Sequence, residues 1–232
     1  SFNKNEIDKL YNDLERVGNY FVGQSINVIY TKRFGGIWQS DEAEIAKIYN
    51  AEPGDYKIID RNRNNIIDDD DRDFVGQTTP QFFGSFSNTF KSHGFDLTIF
   101  LTYAGGHKIY NPFAYLDSYS PSANMSPDYY HNYWTPERPS NKYPRLGSTN
   151  SQLYETDGMY QKGDYIRLKN LELGYTLPRN IANKVYASNI RVYASVQNLV
   201  TFTKYTGFDV ETSNANPYPA CRVFMGGLTV NF

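Results

Sequence analysis

Residues 222–232 read RVFMGGLTVNF, and the alternation in this stretch runs to the last residue of the sequence. In an extended backbone successive side chains point to opposite sides. Phe224, Gly226, Leu228, Val230 and Phe232 therefore share one face, while Met225, Gly227, Thr229 and Asn231 share the other. A strand with one greasy side has to lay that side against something apolar. What that something is decides the fold.

The period of two recurs upstream. Val22, Ile26, Val28 and Tyr30 alternate with Gly23, Ser25 and Asn27, and Phe82, Gly84, Phe86 and Phe90 alternate with Ser85, Ser87 and Thr89. Phe95, Leu97, Ile99, Leu101 and Tyr103 alternate with Asp96, Thr98 and Thr102. Leu171, Leu173, Tyr175 and Leu177 form one face of a further segment, whose phase changes after Leu168, as a β-bulge would make it do. Val192, Ala194 and Val196 oppose Tyr193, Ser195 and Gln197. With the terminal stretch this predicts about six strands of roughly ten residues, the length that crosses a bilayer at a tilt.

The connections sort by length. Between Phe90 and Phe95 lies only KSHG, a tight hairpin with Gly94 free to take positive φ. Between Leu177 and Ile190 lies PRNIANKVYASN, with Pro178 placed to open a helical turn. The others, near 31–77, 104–164 and 203–220, are long. Compact soluble domains rarely carry loops of that size, whereas outer-membrane barrels have short periplasmic turns and long external loops. Counting back from Phe232, the alternation puts the C-terminus on the periplasmic side. Residues 40–49 (SDEAEIAKIY) read as a short helix inside the first long loop, stopped before Pro53-Gly54. Ile7, Leu10, Tyr11 and Leu14 have helical spacing, although SFNKNEI also reads as the tail of an earlier strand.

Composition narrows the function classes. The 232 residues carry a formal net charge of −2, with no case for nucleic acid as a partner. Hydrophobic residues make up 40%, with no run long enough for a membrane-spanning helix. A barrel alternates lipid-facing and lumen-facing residues, so its hydropathy averages out and looks soluble. The aromatic content stands out, with 21 Tyr, 15 Phe and 2 Trp. The single Cys221 excludes an intrachain disulfide and a cysteine-based zinc site, and with only Arg222 beside it the thiol reads as inert. His93, His107 and His131 are scattered, and HExxH, GxSxG and phosphate-cradling glycine motifs are all missing, so no enzyme is expected.

Two stretches could carry binding. DRNRNNIIDDDD fits the spacing of an EF-hand-type calcium loop, with Asp60, Asn62, Asn64, the Ile66 carbonyl, Asp68 and Asp71 at positions 1, 3, 5, 7, 9 and 12. Asn65 stands where such loops have glycine, and Asp71 is shorter than the usual glutamate. The alternative is a solvated acidic turn. PDYYHNYWTPERP gathers Tyr129, Tyr130, Tyr133 and Trp134, flat apolar platforms that could stack on a ligand, contact a partner or simply pack. Tyr110, Tyr115 and Tyr119 are open to the same readings. Tyr103, Tyr175 and Phe202, at strand ends, read as interfacial girdle residues, and Asp96, Tyr193 and Gln197 as lumen-facing.

Three stretches resemble the SusC/RagA type of TonB-dependent outer-membrane transporter: PGDYKIIDRNRNNIIDDDDR (53–72), YIRLKNLELGYTLP (165–178) and VYASVQNLVTFTKYTGFDVE (192–211). Their order, spacing and the terminal Phe232 agree with that family across nearly the whole chain. The resemblance implies the C-terminal quarter to third of such a transporter: part of a barrel of the 22-strand type, its plug domain and TonB box outside 1–232. It also implies that NKNEIDKL is the periplasmic end of a strand, that Lys204 and Tyr205 are framework, and that Trp134 lies in a stretch shared whatever the substrate. The implied partners are outer-membrane lipids, a SusD-like surface lipoprotein contacting Tyr129, Tyr130, Tyr133 and Trp134, and the TonB complex through the missing N-terminal region. Phe224, Leu228, Val230 and Phe232 would form the signal read by outer-membrane assembly machinery. The implied function is uptake of a glycan or peptide. The rival is a soluble all-β carbohydrate-binding module, whose sandwich strands would be shorter and its turns closer.

Overall fold

The computed structural model describes residues 1–111, 124–148, 151–212 and 218–232. These fall into two compact units, one of 1–3, 80–106 and 162–232, the other of 4–79 and 107–161.

The first unit is an antiparallel meander of five strands: β1 (Phe82–Ser92), β2 (Phe95–Gly105), β3 (Tyr165–Thr176), β4 (Asn189–Thr203) and β5 (Val223–Asn231), each beside its neighbour in sequence. Their register sorts the side chains. Phe90, Leu97, Leu173, Ala194 and Gly226 lie opposite one another across all five strands, and the next row, on the other face, runs Lys91, Asp96, Gly174, Tyr193 and Gly227. Most aromatic and aliphatic residues thus collect on one side of the sheet, with Asn88 among them, and most polar ones on the other, where Phe83, Phe100 and Met225 also lie. The apolar side is open: Phe90 is 55% exposed, Leu173 51%, Leu228 63% and Phe224 70%.

The phase change expected after Leu168 is present. β3 shifts register between Leu168 and Asn170 against both neighbours, so Lys169 is an extra residue and Leu168 stays on the apolar side with Leu101 and Val200. The β1–β2 hairpin turns at His93 (φ 49°) and Gly94 (φ 86°), two left-handed residues that match the twist of the flanking strands. The β3–β4 connection carries the helical turn expected after Pro178, at Arg179–Ala182. The β2–β3 and β4–β5 connections leave from the opposite end and are long, so the alternation of short and long holds.

The expected first strand does not form. Gly23 takes φ 79° and breaks the extended run, and only Val28–Thr31 is strand, paired in a short ribbon with Asp73–Gln77 in the second unit. The sheet has five long strands rather than six. Phe2 instead bridges to Phe82, and the Ser1 ammonium and carbonyl both pair with the Phe83 backbone. Those bonds place 1–3 at the long-connection end of β1, not at the short-turn end that the resemblance implied for NKNEIDKL.

The second unit is built from short ribbons and turns. Phe34–Ile37 pairs with Tyr56–Ile58, and the expected helix appears as a 3-10 turn at Ser40–Glu42 followed by Ala43–Ile48. Its core is Ile37, Tyr56, Trp134, Leu153 and Met159, with a satellite of Trp38, Ala46 and Ala51.

Gly94→Ala would force a side chain onto a left-handed residue and against the Thr176 carbonyl, 2.9 Å from where its Cβ would stand. The cost should exceed about 1 kcal/mol, read as a lower urea midpoint for the intact protein; an unchanged midpoint would mean the hairpin does not need this conformation.

Candidate functional site

Three groups of residues stand out. The first is the acidic turn in the second unit. Asp60 accepts hydrogen bonds from the amides of Arg63 (2.6 Å) and Asn65 (2.8 Å) and from the Tyr49 hydroxyl (3.0 Å). Asn62 accepts from the Asn64 amide, Asn64 from the Ile66 amide, and Asp68 from the Asp70 amide. Asp71, 1% exposed, accepts from the amides of Arg61 and Asp68 and so closes the turn on itself. Asn65 takes the left-handed conformation (φ 65°) that glycine supplies in calcium loops, and asparagine tolerates it better than most residues.

Desolvation opposes ionisation of Asp60, but the hydrogen bonds from Asn65, Tyr49 and Arg63 outweigh it and hold the carboxyl below its ordinary value. Burial, then the Asp60 contact, pushes the Tyr49 hydroxyl up. Among the described residues no three His, Cys, Asp or Glu side chains converge to hold a metal ion. An EF-hand-type set would draw on two Asn and a carbonyl besides the three Asp. Beside this turn is a recess of about 520 Å³ walled by Trp38, Tyr49 and Tyr56, with the Lys32–Glu155 ion pair (3.0 Å) at its side. Nothing local in the sequence marks 38, 49 and 56 as neighbours.

The second group is the aromatic stretch, and the structure splits it. Tyr129, on the short helix Pro127–Asn132, is fully buried, its ring 6.2 Å from Tyr143 and its hydroxyl donating to the Arg145 carbonyl. Trp134 belongs to the core and donates from Nε1 to Gln39 Oε1 at 3.0 Å. Tyr133 is half-buried under the Arg138 guanidinium, which also grips the carbonyls of Tyr133 and His131. Only Tyr130 is exposed, at 60%. The expectation that all four contact a ligand or lid is corrected: Tyr129 and Trp134 pack the unit, and of the four Tyr130 and the edge of Tyr133 reach the surface. Tyr110 packs against Tyr160 at 5.4 Å, and Tyr115 and Tyr119 lie outside the described residues.

The third group went unread in the sequence. On the polar side of β3, Arg167 donates to Asp209 (2.7 Å), Glu211 (2.7 Å) and the Thr201 hydroxyl (2.8 Å), and the Arg167 and Asp209 side chains are each only 4% exposed. Glu211 also receives Lys169 and the Tyr165 hydroxyl. Asp209 gathers the amides of Glu211 and Ala220, tying two distant points of the β4–β5 connection to one carboxylate. A strand arginine followed some forty residues later by Asp-x-Glu was the available signal, but nothing in the sequence says the loop folds back. Nearer the short turns, Arg191 reaches across Gly174 to Asp96 and Glu172. A Cβ at Gly174 would overlap that guanidinium. Asp96, read as lumen-facing, thus serves a cross-strand ion pair, while Tyr193 lies beside Arg191 with the guanidinium 5.2 Å from its ring.

Phe224, Leu228 and Val230 lie on the open apolar face opposite Val196, Val192 and Ile190, and Phe232 is 88% exposed.

No family model matches the chain. It is similar to TonB-dependent receptor P3 of Formosa agariphila, 31% identical over 228 residues, which are 90% of this chain and 22% of that protein. It is similar also to the TonB-dependent receptor SusC of Bacteroides thetaiotaomicron, 27% identical over 187 residues, 79% of this chain and 18% of SusC. Its fold matches a chain of the RagAB peptide importer in the open-open state with a TM-score of 0.76 at 23% identity, over 98% of this chain and 25% of that one. The resemblance carried by the three motif stretches is borne out, and the chain spans about a fifth to a quarter of the relatives it matches.

Weakening the buried cluster with Asp209→Asn should cost about 1.5–3 kcal/mol, the range for a hydrogen bond to a charged group, because Arg167 then keeps Glu211 as its one carboxylate partner. The readout is protease cleavage within 204–222 of the intact protein, which should rise. Burial works against the Asp209 carboxylate, but the Ala220 and Glu211 amides and Arg167 hold it below its ordinary 3.8. Its folded value being depressed, the contribution is fully present above 3.8 and fades as pH falls below it. Cleavage that is flat with pH down to the acid limit would remove Asp209 from that role.

Proposed function

We propose that this chain forms part of the wall and outer rim of an outer-membrane TonB-dependent importer. The observation that carries it is the sorted sheet: a continuous, exposed apolar face across β1–β5, backed by a polar one. In water such a face is a liability. In a barrel wall it meets hydrocarbon while every strand is paired along both edges. Strands of 9 to 15 residues suffice to cross. Under this reading the β1–β2 and β3–β4 turns are periplasmic, as is the C-terminus, and the β2–β3 and β4–β5 connections leave the sheet on the external side. Closure, in a barrel of the 22-strand type, would need strands from elsewhere in the protein. A soluble carbohydrate-binding sandwich would cover the apolar face with a second sheet.

The polar face carrying Asp96, Arg191 and Tyr193 would line the lumen. Tyr130 and Tyr133, in the β2–β3 connection, are suited to contact a SusD-like lipoprotein. The TonB complex would engage a region outside these residues. The cargo class is glycan or peptide, with the Trp38–Tyr49–Tyr56 recess as a place where either could touch. RagAB is a peptide importer, which favours peptide where the two compete.

The acidic turn is proposed as a calcium site of structural kind. Asp60, Asn62, Asn64, the Ile66 carbonyl, Asp68 and Asp71 would supply the oxygens, and their part is to hold the turn's shape. Removing calcium from the intact protein with a chelator should raise protease cleavage within 53–72, and Asp60→Asn should abolish the difference. If chelation changes nothing, the turn is a solvated one.

Leu228→Arg or Val230→Arg should cost about 2–4 kcal/mol near the bilayer midplane, with Thr229→Arg mild by comparison. Urea unfolding of the intact protein in lipid vesicles measures this. Equal responses from the two faces would reverse or abolish the in–out assignment.

A further inference from the structure

At the long-connection end of the sheet a groove of about 730 Å³ opens where the apolar face stops. Its floor is a single register row, with Tyr103 opposite Ile166 and Ile166 opposite Phe202. Phe82 closes one side, its ring seated against Gly105. β2, β3 and β4 are each paired along both edges within this chain, so no further strand can be laid into the row. Beyond it the lining changes from apolar to charged: Lys162, Asp164 and Lys204. The Asp164 carboxylate is engaged by the Gly106 amide at 2.7 Å. Among the described residues neither Lys162 nor Lys204 has an ion-pair partner, and both are exposed.

The order from apolar to cationic runs along the strand axis, and it is the order met on leaving hydrocarbon for a headgroup layer. Aromatic rings sit at that level because one part of each is apolar and another polar. Lysine stems can lie along the apolar row while their ammonium groups reach outward, and an unpaired ammonium is a point-charge binder of phosphate.

We propose that this groove seats a phosphorylated lipid of the surrounding leaflet, with acyl chains over the Tyr103–Ile166–Phe202 row and phosphate held by Lys162 and Lys204. The inference rests on the barrel-wall reading above and adds a bound lipid to it. It differs from a general affinity for bilayer because it requires two named charges above one named row.

The test uses the intact protein in detergent, titrated by native mass spectrometry with diphosphorylated lipid A, with phosphatidylcholine, and with inorganic phosphate as competitor. Wild type should retain lipid A in preference to phosphatidylcholine. K162A/K204A should bind lipid A about 20- to 30-fold more weakly, roughly fivefold for each lysine at an anionic surface, with phosphatidylcholine unchanged. Equal lipid A binding by the two proteins overturns the proposal. So does displacement by inorganic phosphate, which would make this a free-anion site. Heat-modifiable migration and membrane extraction are scored on the same samples. A protein that fails to partition into membranes sinks the wall reading itself. One that inserts normally but ignores the lysines sinks only the lipid site.

Discussion

The sheet depends on a phase. Paired residues share a face, so one residue of slippage anywhere would send a row of aromatics to the polar side and a row of charges to the apolar side. The five strands keep their phase by different means. β2 runs without interruption, and β3 absorbs one extra residue, Lys169, without which Leu168 and Leu171 could not lie on the same side. β4 accommodates β3 by spending two residues, Asn198 and Leu199, between Gln197 and Val200. Asn198 takes φ 51° there and donates its side-chain amide to the Cys221 carbonyl, bracing the start of β5.

This difference explains what could be read in the sequence. An insertion of one residue inverts the alternation, so the irregularity in β3 is visible as a change from Leu168 to Leu171. An insertion of two restores it, so the irregularity in β4 leaves no trace. The hairpin at Gly94, the helix at Ala43–Ile48 and the alternation of β5 are equally legible, because each rests on neighbours close in sequence. Val22–Tyr30 misled because alternation is necessary for a strand and not sufficient: it needs a partner along its edge, and past Gly23 only Val28–Thr31 finds one.

The sites were legible to a different degree. The acidic turn is local, and its side-chain-to-amide bonds follow the spacing of its residues. The aromatic stretch looked like a platform, but composition does not distinguish a ring that faces solvent from one that fills a core, and Tyr129 and Trp134 do the latter. The Arg167–Asp209–Glu211 cluster joins residues 42 and 44 positions apart. Such buried pairs contribute little net stability when compared with apolar replacements, and they fix one arrangement by making others costly. Here the arrangement fixed is the return of a long connection onto the strand wall.

The Arg191 crossing has a consequence of the same kind. Alternation forbids odd displacements of one strand past another, but a displacement of two residues would leave both faces unchanged and the backbone ladder intact. Hydrophobicity is blind to it. Arg191 is not, since its guanidinium must clear β3 at the one position without a side chain, Gly174, to meet Asp96 on β2. A two-residue shift in either pairing would put a side chain in that gap or carry the carboxylate away. The crossing therefore acts as a key cut for a single alignment of three strands, and it supplies the discrimination that a repeating pattern cannot.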